Sequence, residues 1–162
     1  MTDASIPLPL HAYVPGVNAR PAEGAFDAIR ETVAAGMTEA ELAATQAFRT
    51  GLIYLDSGYF WEAHEVLEPV WMVCPEQSAA RQVVQGLIQL ANANLKVLMR
   101  RPRAVLRLCD IARGHFERAM DLGGEHVMHI GIAERLAQVE ALKLEQNVHY
   151  SAINMPIIEA DV

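Results

Sequence analysis

Residues 59–98 read YFWEAHEVLEPVWMVCPEQSAARQVVQGLIQLANANLKVL, two amphipathic segments parted by a proline, and their periodicity decides the fold. In the first segment Phe60, Ala63, Leu67, Val70 and Cys74 recur at helical spacing and define a core face. Pro69 removes one backbone donor inside it, so a kink or an early end is expected there, with the helix running from Tyr59 to about Met72. In the second segment Pro75, with Glu76 in the first turn, opens a helix predicted to reach about Arg100. Val83, Val84, Leu87, Ile88, Leu90, Leu95, Val97 and Leu98 make that helix apolar on several sides, the mark of a buried one.

Outward from this pair the same signals repeat. Pro102 starts a helix that reaches Leu122 and is ended by Gly123 and Gly124, and a last helix covers roughly 132–144. Upstream, Thr38 followed by Glu41 is a capping box, and the alanine- and leucine-rich stretch after it should be helical to about Ser57, where Gly58 makes a turn. A short helix from Phe26 to Ala35, stopped at Gly36, precedes it. The connections at Gly58, Pro75 and Pro102 are short, so successive helices must pack antiparallel. The expected fold is therefore all-α: an up-and-down antiparallel bundle of about four main helices with short flanking helices and no sheet. Four prolines, Pro7, Pro9, Pro15 and Pro21, with Gly16 and Gly24, keep residues 1–24 an extended leader. Residues 25–145 then form a single bundle domain, and residues 146–162 an irregular tail.

Composition limits the function. With 162 residues, 52% hydrophobic and 20% charged, the chain is globular and large enough to bury a core without disulfides. Cys74 and Cys109 are too few and too far apart for a disulfide framework or a CxxC metal site, and read as buried thiols. Residues 1–13 show neither basic residues nor an apolar run of signal-peptide type, and no uninterrupted apolar run is long enough to span a membrane. A cytoplasmic location is expected. A net charge of −7 argues against nucleic acid as a partner. The charge is unevenly placed, however. Between Arg81 and Arg118 lie Arg81, Lys96, Arg100, Arg101, Arg103, Arg107, Arg113 and Arg118 against only Asp110 and Glu117. The expectation is that this segment pairs internally with acidic helices such as that carrying Glu62, Glu65, Glu68 and Glu76, with an anion-binding edge or a self-assembly surface, hence a homo-oligomer, as the alternative.

One constellation stands out. Trp61, His64, Glu68 and Trp71 recur at spacings of three, four and three, with Glu65 beside them. Two tryptophans bracketing a histidine and a carboxylate imply a face that is at least partly covered. Arg81, Gln85, Gln89, Asn92 and Lys96 form a matching polar stripe on the next helix. The expectation is that His64 and Glu68 face Gln85 and Gln89 across the interface, either as a hydrogen-bond network that sets helix register or as a small pocket in which a carboxylate acts as base or ligand. In the pocket reading His64, Glu65 and Glu68 are the catalytic candidates, and Trp61, Trp71, Gln85, Gln89 and Lys96 line a ligand site.

No metal is expected. His64-Glu65-Val66-Leu67-Glu68 spells HExxE, which lacks the second histidine of HExxH, and carboxamides are poor zinc ligands. The purified protein should carry well under one equivalent of zinc, iron or manganese. His115 reads as a half-buried packing residue, and His126 and His129 as exposed loop residues. Arg100, Arg101, Arg103 and Arg107 could receive a phosphate at a helix start but read first as ordinary surface.

Phe48, Gly51, Leu52, Gly58-Tyr59-Phe60, Ala63-His64-Glu65, Glu68 and Trp71, followed by Gln85-Gly86-Leu87-Ile88-Gln89, together resemble the domain of unknown function 309 family over about Phe48 to Cys109. Ala12-Tyr13-Val14-Pro15-Gly16 is similar to the amino-terminal segment of some members. The resemblance implies a helical bundle with the HExxE helix facing the QGLIQ helix, and no established biochemical activity. Lys96 stands where members often have a histidine, a departure that weakens a metal reading further. A nucleic-acid regulator has only the Arg81 to Arg118 segment to recommend it, and two other function classes stand ahead of it. One is an enzyme, a hydrolase using Glu65 or Glu68 with His64, or a small-molecule binding site; the other is a non-catalytic structural or protein-interaction module. No cofactor is named by the sequence, because there is no phosphate-cradling glycine loop and no nucleophile elbow.

Overall fold

The computed structural model describes residues 6–153, with side chains described as far as His149. Its elements are α1 (Asp27–Arg30), α2 (Glu39–Ala44), α3 (Gln46–Asp56), α4 (Phe60–Val73), α5 (Ala79–Leu98), α6 (Pro102–Gly123), β1 (His126–Val127), β2 (Ile130–Gly131) and α7 (Ile132–Ile153). Each of the four long helices α4 to α7 packs on its neighbour in sequence, and α3 packs on α4, as an up-and-down bundle requires. The fold is all-α apart from one two-stranded hairpin. Among the described residues no helix is long and apolar enough to cross a membrane.

Local chemistry explains most boundaries. Thr38 and Glu41 form the expected capping box, the Thr38 hydroxyl accepting from the Glu41 amide at 3.3 Å and the Glu41 carboxylate accepting from the Thr38 amide at 2.7 Å. The Thr38 amide, and the Thr38 hydroxyl at 2.9 Å, donate to the Glu41 carboxylate and hold it below the usual carboxylate range. Pro102 occupies the first turn of α6. Close helix approach is set by two glycines: a Cβ on Gly51 would collide with Leu67, and one on Gly86 would sit 2.6 Å from the ring of the fully buried Phe116. The core runs through Phe48, Leu67, Val83, Leu87, Phe116 and Ile132.

The structure departs from the sequence reading in several places. The first helix is shorter than residues 26–35, covering Asp27–Arg30. The single helix expected to Ser57 is two, broken at Thr45. Buried Thr45 has an extended backbone, donates its hydroxyl to Leu42 O at 2.7 Å and accepts from the Phe48 amide at 3.2 Å, so it caps α3 where helix propensity alone would carry on. The helix containing Pro69 runs to Val73, within a residue of the expected Met72. α5 begins at Ala79, capped by Ser78, instead of at Pro75. His126 and His129 are exposed as expected, but they belong to the hairpin, in which Val127 pairs with Ile130 and the turn residues Met128 and His129 both have positive φ. This hairpin corrects the expectation of no sheet at all. α7 extends to Ile153 in place of an irregular tail from residue 146, and among its residues whose side chains are described Ile132, Val139 and Gln146, seven apart, are the buried ones. Asn154, Met155 and Pro156 of the expected tail lie outside the described residues.

Candidate functional site

The stripe of α4 is covered as its tryptophans demand, but from two directions. At the amino-terminal end the leader and the segment around α1 lie over Trp61. Tyr13 meets its ring edge-on at 5.1 Å between centroids, Phe26 lies at 6.2 Å, and the Arg20 guanidinium sits 5.5 Å over it. At the carboxy-terminal end Arg81 of α5 stacks 4.3 Å over Trp71 and donates to the carbonyls of Cys74 at 2.9 Å and Trp71 at 3.3 Å, satisfying acceptors that the helix end leaves free.

Between these ends, His64 Nδ1 is 2.9 Å from Asn92 Oδ1, a bond in which the imidazole N–H donates. This contact and the Arg81 contacts fix α4 and α5 antiparallel, with Glu68 level with the Gln85 turn. The two polar stripes therefore do meet. They do not meet through Glu68 and the glutamines. Glu68 turns to Arg30 of α1, whose Nη1 lies 3.6 Å from Glu68 Oε2 and 3.8 Å from Glu65 Oε2. Among the described residues half-buried Gln85 and Gln89 have no protein hydrogen-bond partner. Lys96 Nζ lies 3.7 Å from the Met99 sulfur.

Arg30 has a second task that explains the uninterrupted α4. Pro69 lacks the N–H that would bond the carbonyl four residues back, which is Glu65 O. Arg30 Nη1 donates to that same carbonyl. One guanidinium thus replaces the missing backbone donor and sits between two carboxylates of the HExxE run.

The residue that the sequence reading misplaces is Glu62. Sequence groups it with Glu65, Glu68 and Glu76 as a partner for the basic segment, yet its side chain is fully buried at 0% exposure. Its Oε1 accepts the Tyr13 main-chain N–H at 2.7 Å, and its Oε2 has no hydrogen-bond partner. Burial pushes its carboxyl above the usual range, against the Tyr13 bond and the nearby His11, and Tyr54 is raised in turn by burial and the Glu62 charge. A signal for the burial is present in the spacing: Glu62, Val66 and Val70 fall four apart, and both valines are fully buried.

The basic segment is paired internally in part, but with acids other than those named on α4. Arg113 reaches Asp110, Glu117 and Glu140, and Lys143 of α7 reaches Asp110, so the partners are on α6 and α7. Arg100, Arg101, Arg103 and Arg107 are exposed and have no ion pair among the described residues. His115 is half-buried and bonded through Nδ1 to Gln82 Oε1 at 2.8 Å, and burial lowers its pKa. Cys74 and Cys109 are buried thiols pushed up to about 11 by desolvation, so neither is a ready nucleophile. Among the described residues no three of His, Cys, Asp and Glu are grouped so as to hold a metal ion.

Fold and site together define a small helical-bundle protein whose α4 is clasped at both ends. Residues 48–108 match the family model described as Domain of unknown function (DUF309). No curated protein and no solved structure matches the chain.

Proposed function

We propose that the chain is a non-catalytic helical interaction module, in which the HExxE stripe is a clasp that holds the leader-side elements on the bundle. The observation that carries this reading is Arg30. It is shared by Glu65 O, Glu65 Oε2 and Glu68 Oε2, so the carboxylates assigned to chemistry are occupied in neutralising a guanidinium that the proline in α4 makes necessary. His64 is likewise engaged, by Asn92. A clasp predicts that Glu68→Ala and Arg30→Ala each lower the melting temperature and that the double mutant shows coupling. Both side chains are about a third or more exposed, so coupling should stay below about 1 kcal/mol. Carboxylates gathered for catalysis are often held at a cost in stability, so a Glu68→Ala protein that melts higher than wild type, with no coupling to Arg30, would sink the reading.

A second reading has its own observation. Gln85 and Gln89 are half-buried beside the His64–Asn92 bond with their amides unbonded, which suits a small polar ligand held between α4 and α5 by Trp61, Trp71, Gln85, Gln89 and Lys96, with His64 oriented by Asn92 and Glu65 or Glu68 as a hydrolytic base. Shifts of the Gln85 and Gln89 side-chain amide signals on adding a ligand, abolished in His64→Ala, would favour it. Neither reading routes chemistry through a metal; a stoichiometric ion lost on His64→Ala would count against both.

A further inference from the structure

Between Ile6 and Gly24 the chain contains no helix or strand, and Val14 is its one buried residue. Leu8, Leu10 and Val17 are exposed although apolar. What shape this leader has comes from its own bonds: the Val14 amide donates to Asn18 Oδ1 at 2.9 Å, Asn18 Nδ2 donates to Ala12 O at 2.8 Å, and the Val17 amide donates to Val14 O at 3.0 Å. This self-closed turn presents the Tyr13 N–H to the bundle.

The bundle grips it lightly. The polar and aromatic part of the grip is the Tyr13 N–H to Glu62 Oε1, the Tyr13 ring and the Arg20 guanidinium on Trp61, and a long 3.5 Å contact from the Tyr54 hydroxyl to Pro7 O, with Val14 buried and Ile6 packed against the core. Glu62 has acceptor capacity that the leader leaves unused, since its buried Oε2 is unpartnered. Beside it is a hollow of about 420 Å³ walled by Phe26, Ile29 and Tyr54 on one side and by Pro7, Leu10 and His11 of the leader on the other. Leader and groove therefore resemble a peptide and its receptor joined in one chain, with a buried acceptor for one main-chain N–H and an aromatic wall for the side chain next to it.

We propose that the groove of Phe26, Tyr54, Trp61 and Glu62 is a peptide-docking site, occupied here by the chain's own leader and open to the leader of a second copy by reciprocal exchange. The second copy is the occupant that the groove already fits. The connection from this docked segment to α1 has no helix or strand before Asp27 and includes Gly24 at positive φ, so it can redirect the leader without unfolding the bundle. This site deepens the interaction-module reading and rests on it.

The test uses the full chain with Tyr13→Pro, which removes the N–H that Glu62 accepts, and a synthetic peptide of residues 6–18. The peptide should shift the Trp61 indole signal of the variant and bind it at least tenfold more tightly than it binds wild type, whose groove is filled. The same peptide carrying Tyr13→Pro should not bind. Wild-type chain should rise from monomer towards dimer mass with concentration, and the Tyr13→Pro chain should not. No shift at millimolar peptide, equal binding of the altered peptide, or peptide binding without any concentration-dependent mass would each overturn the proposal. Should Tyr13→Pro fail to fold, Tyr13→Ala keeps the N–H and weakens only the ring contact; failure of the peptide to displace the leader of that variant would overturn the proposal equally. If peptide binding fails while Arg30 and Glu68 remain coupled, the groove falls and the clasp stands; if the peptide binds without that coupling, the groove stands and the clasp falls.

Discussion

Three carboxylates lie within seven residues of α4, and their surroundings could hardly differ more. Glu65 and Glu68 are about a third and two-fifths exposed and share Arg30. Glu62, one turn earlier, is fully buried with no cation bonded to it, and is held by a single main-chain N–H. Position relative to the leader, and not membership of the HExxE run, therefore decides which acid carries a large free energy. A solvated pair gains little because water screens it and two long side chains must be ordered. A buried carboxylate is costly to desolvate and therefore sensitive to any change in its one partner.

Glu62→Ala puts this contrast under the greatest load. It leaves the Tyr13 N–H facing an emptied buried site, and a loss of about 1–3 kcal/mol is expected, read as a lower denaturation midpoint at unchanged slope. The same substitution at Glu65 should cost less than about 1 kcal/mol. Equal losses at the two positions would erase the distinction. Gly86→Ala is a control for ordinary packing, since its Cβ would press 2.6 Å from the Phe116 ring; overpacking of this kind costs about 1–3 kcal/mol without any dependence on the leader.

A pH series separates the acids in a second way. The folded-state pKa of Glu62 is raised, so its contribution is fully present below the unfolded value and is lost as pH rises through the folded value. Wild type should therefore lose stability relative to Glu62→Gln as pH climbs from about 4 towards neutrality, because the neutral amide still accepts from Tyr13 at every pH. Parallel melting curves for the two proteins across that range would show that Glu62 is not the buried acid described. The smallest effect belongs to Arg30 and Glu68, whose coupling should shrink between low salt and 1 M salt as surface attractions are screened.

Much of the bundle can be read from residues alone. Apolar spacing along 60–74 and 83–98, the Thr38–Glu41 box and the proline at 102 all report interactions within a turn or two of chain, and such interactions are written locally. The break at Thr45 is locally written too, but a threonine hydroxyl that caps competes with a run of good helix formers, and the burial that decides for the cap is tertiary. The polar stripes of α4 and α5 can be paired from their periods, as His64–Asn92 and the Arg81 contacts bear out. Which side chains close the gap cannot, because α1 inserts a guanidinium that outcompetes an amide for Glu68. Glu62 marks the limit most clearly. Its place in line with the buried Val66 and Val70 follows from the sequence, whereas the Tyr13 N–H it accepts is supplied by a leader some fifty residues away in the chain.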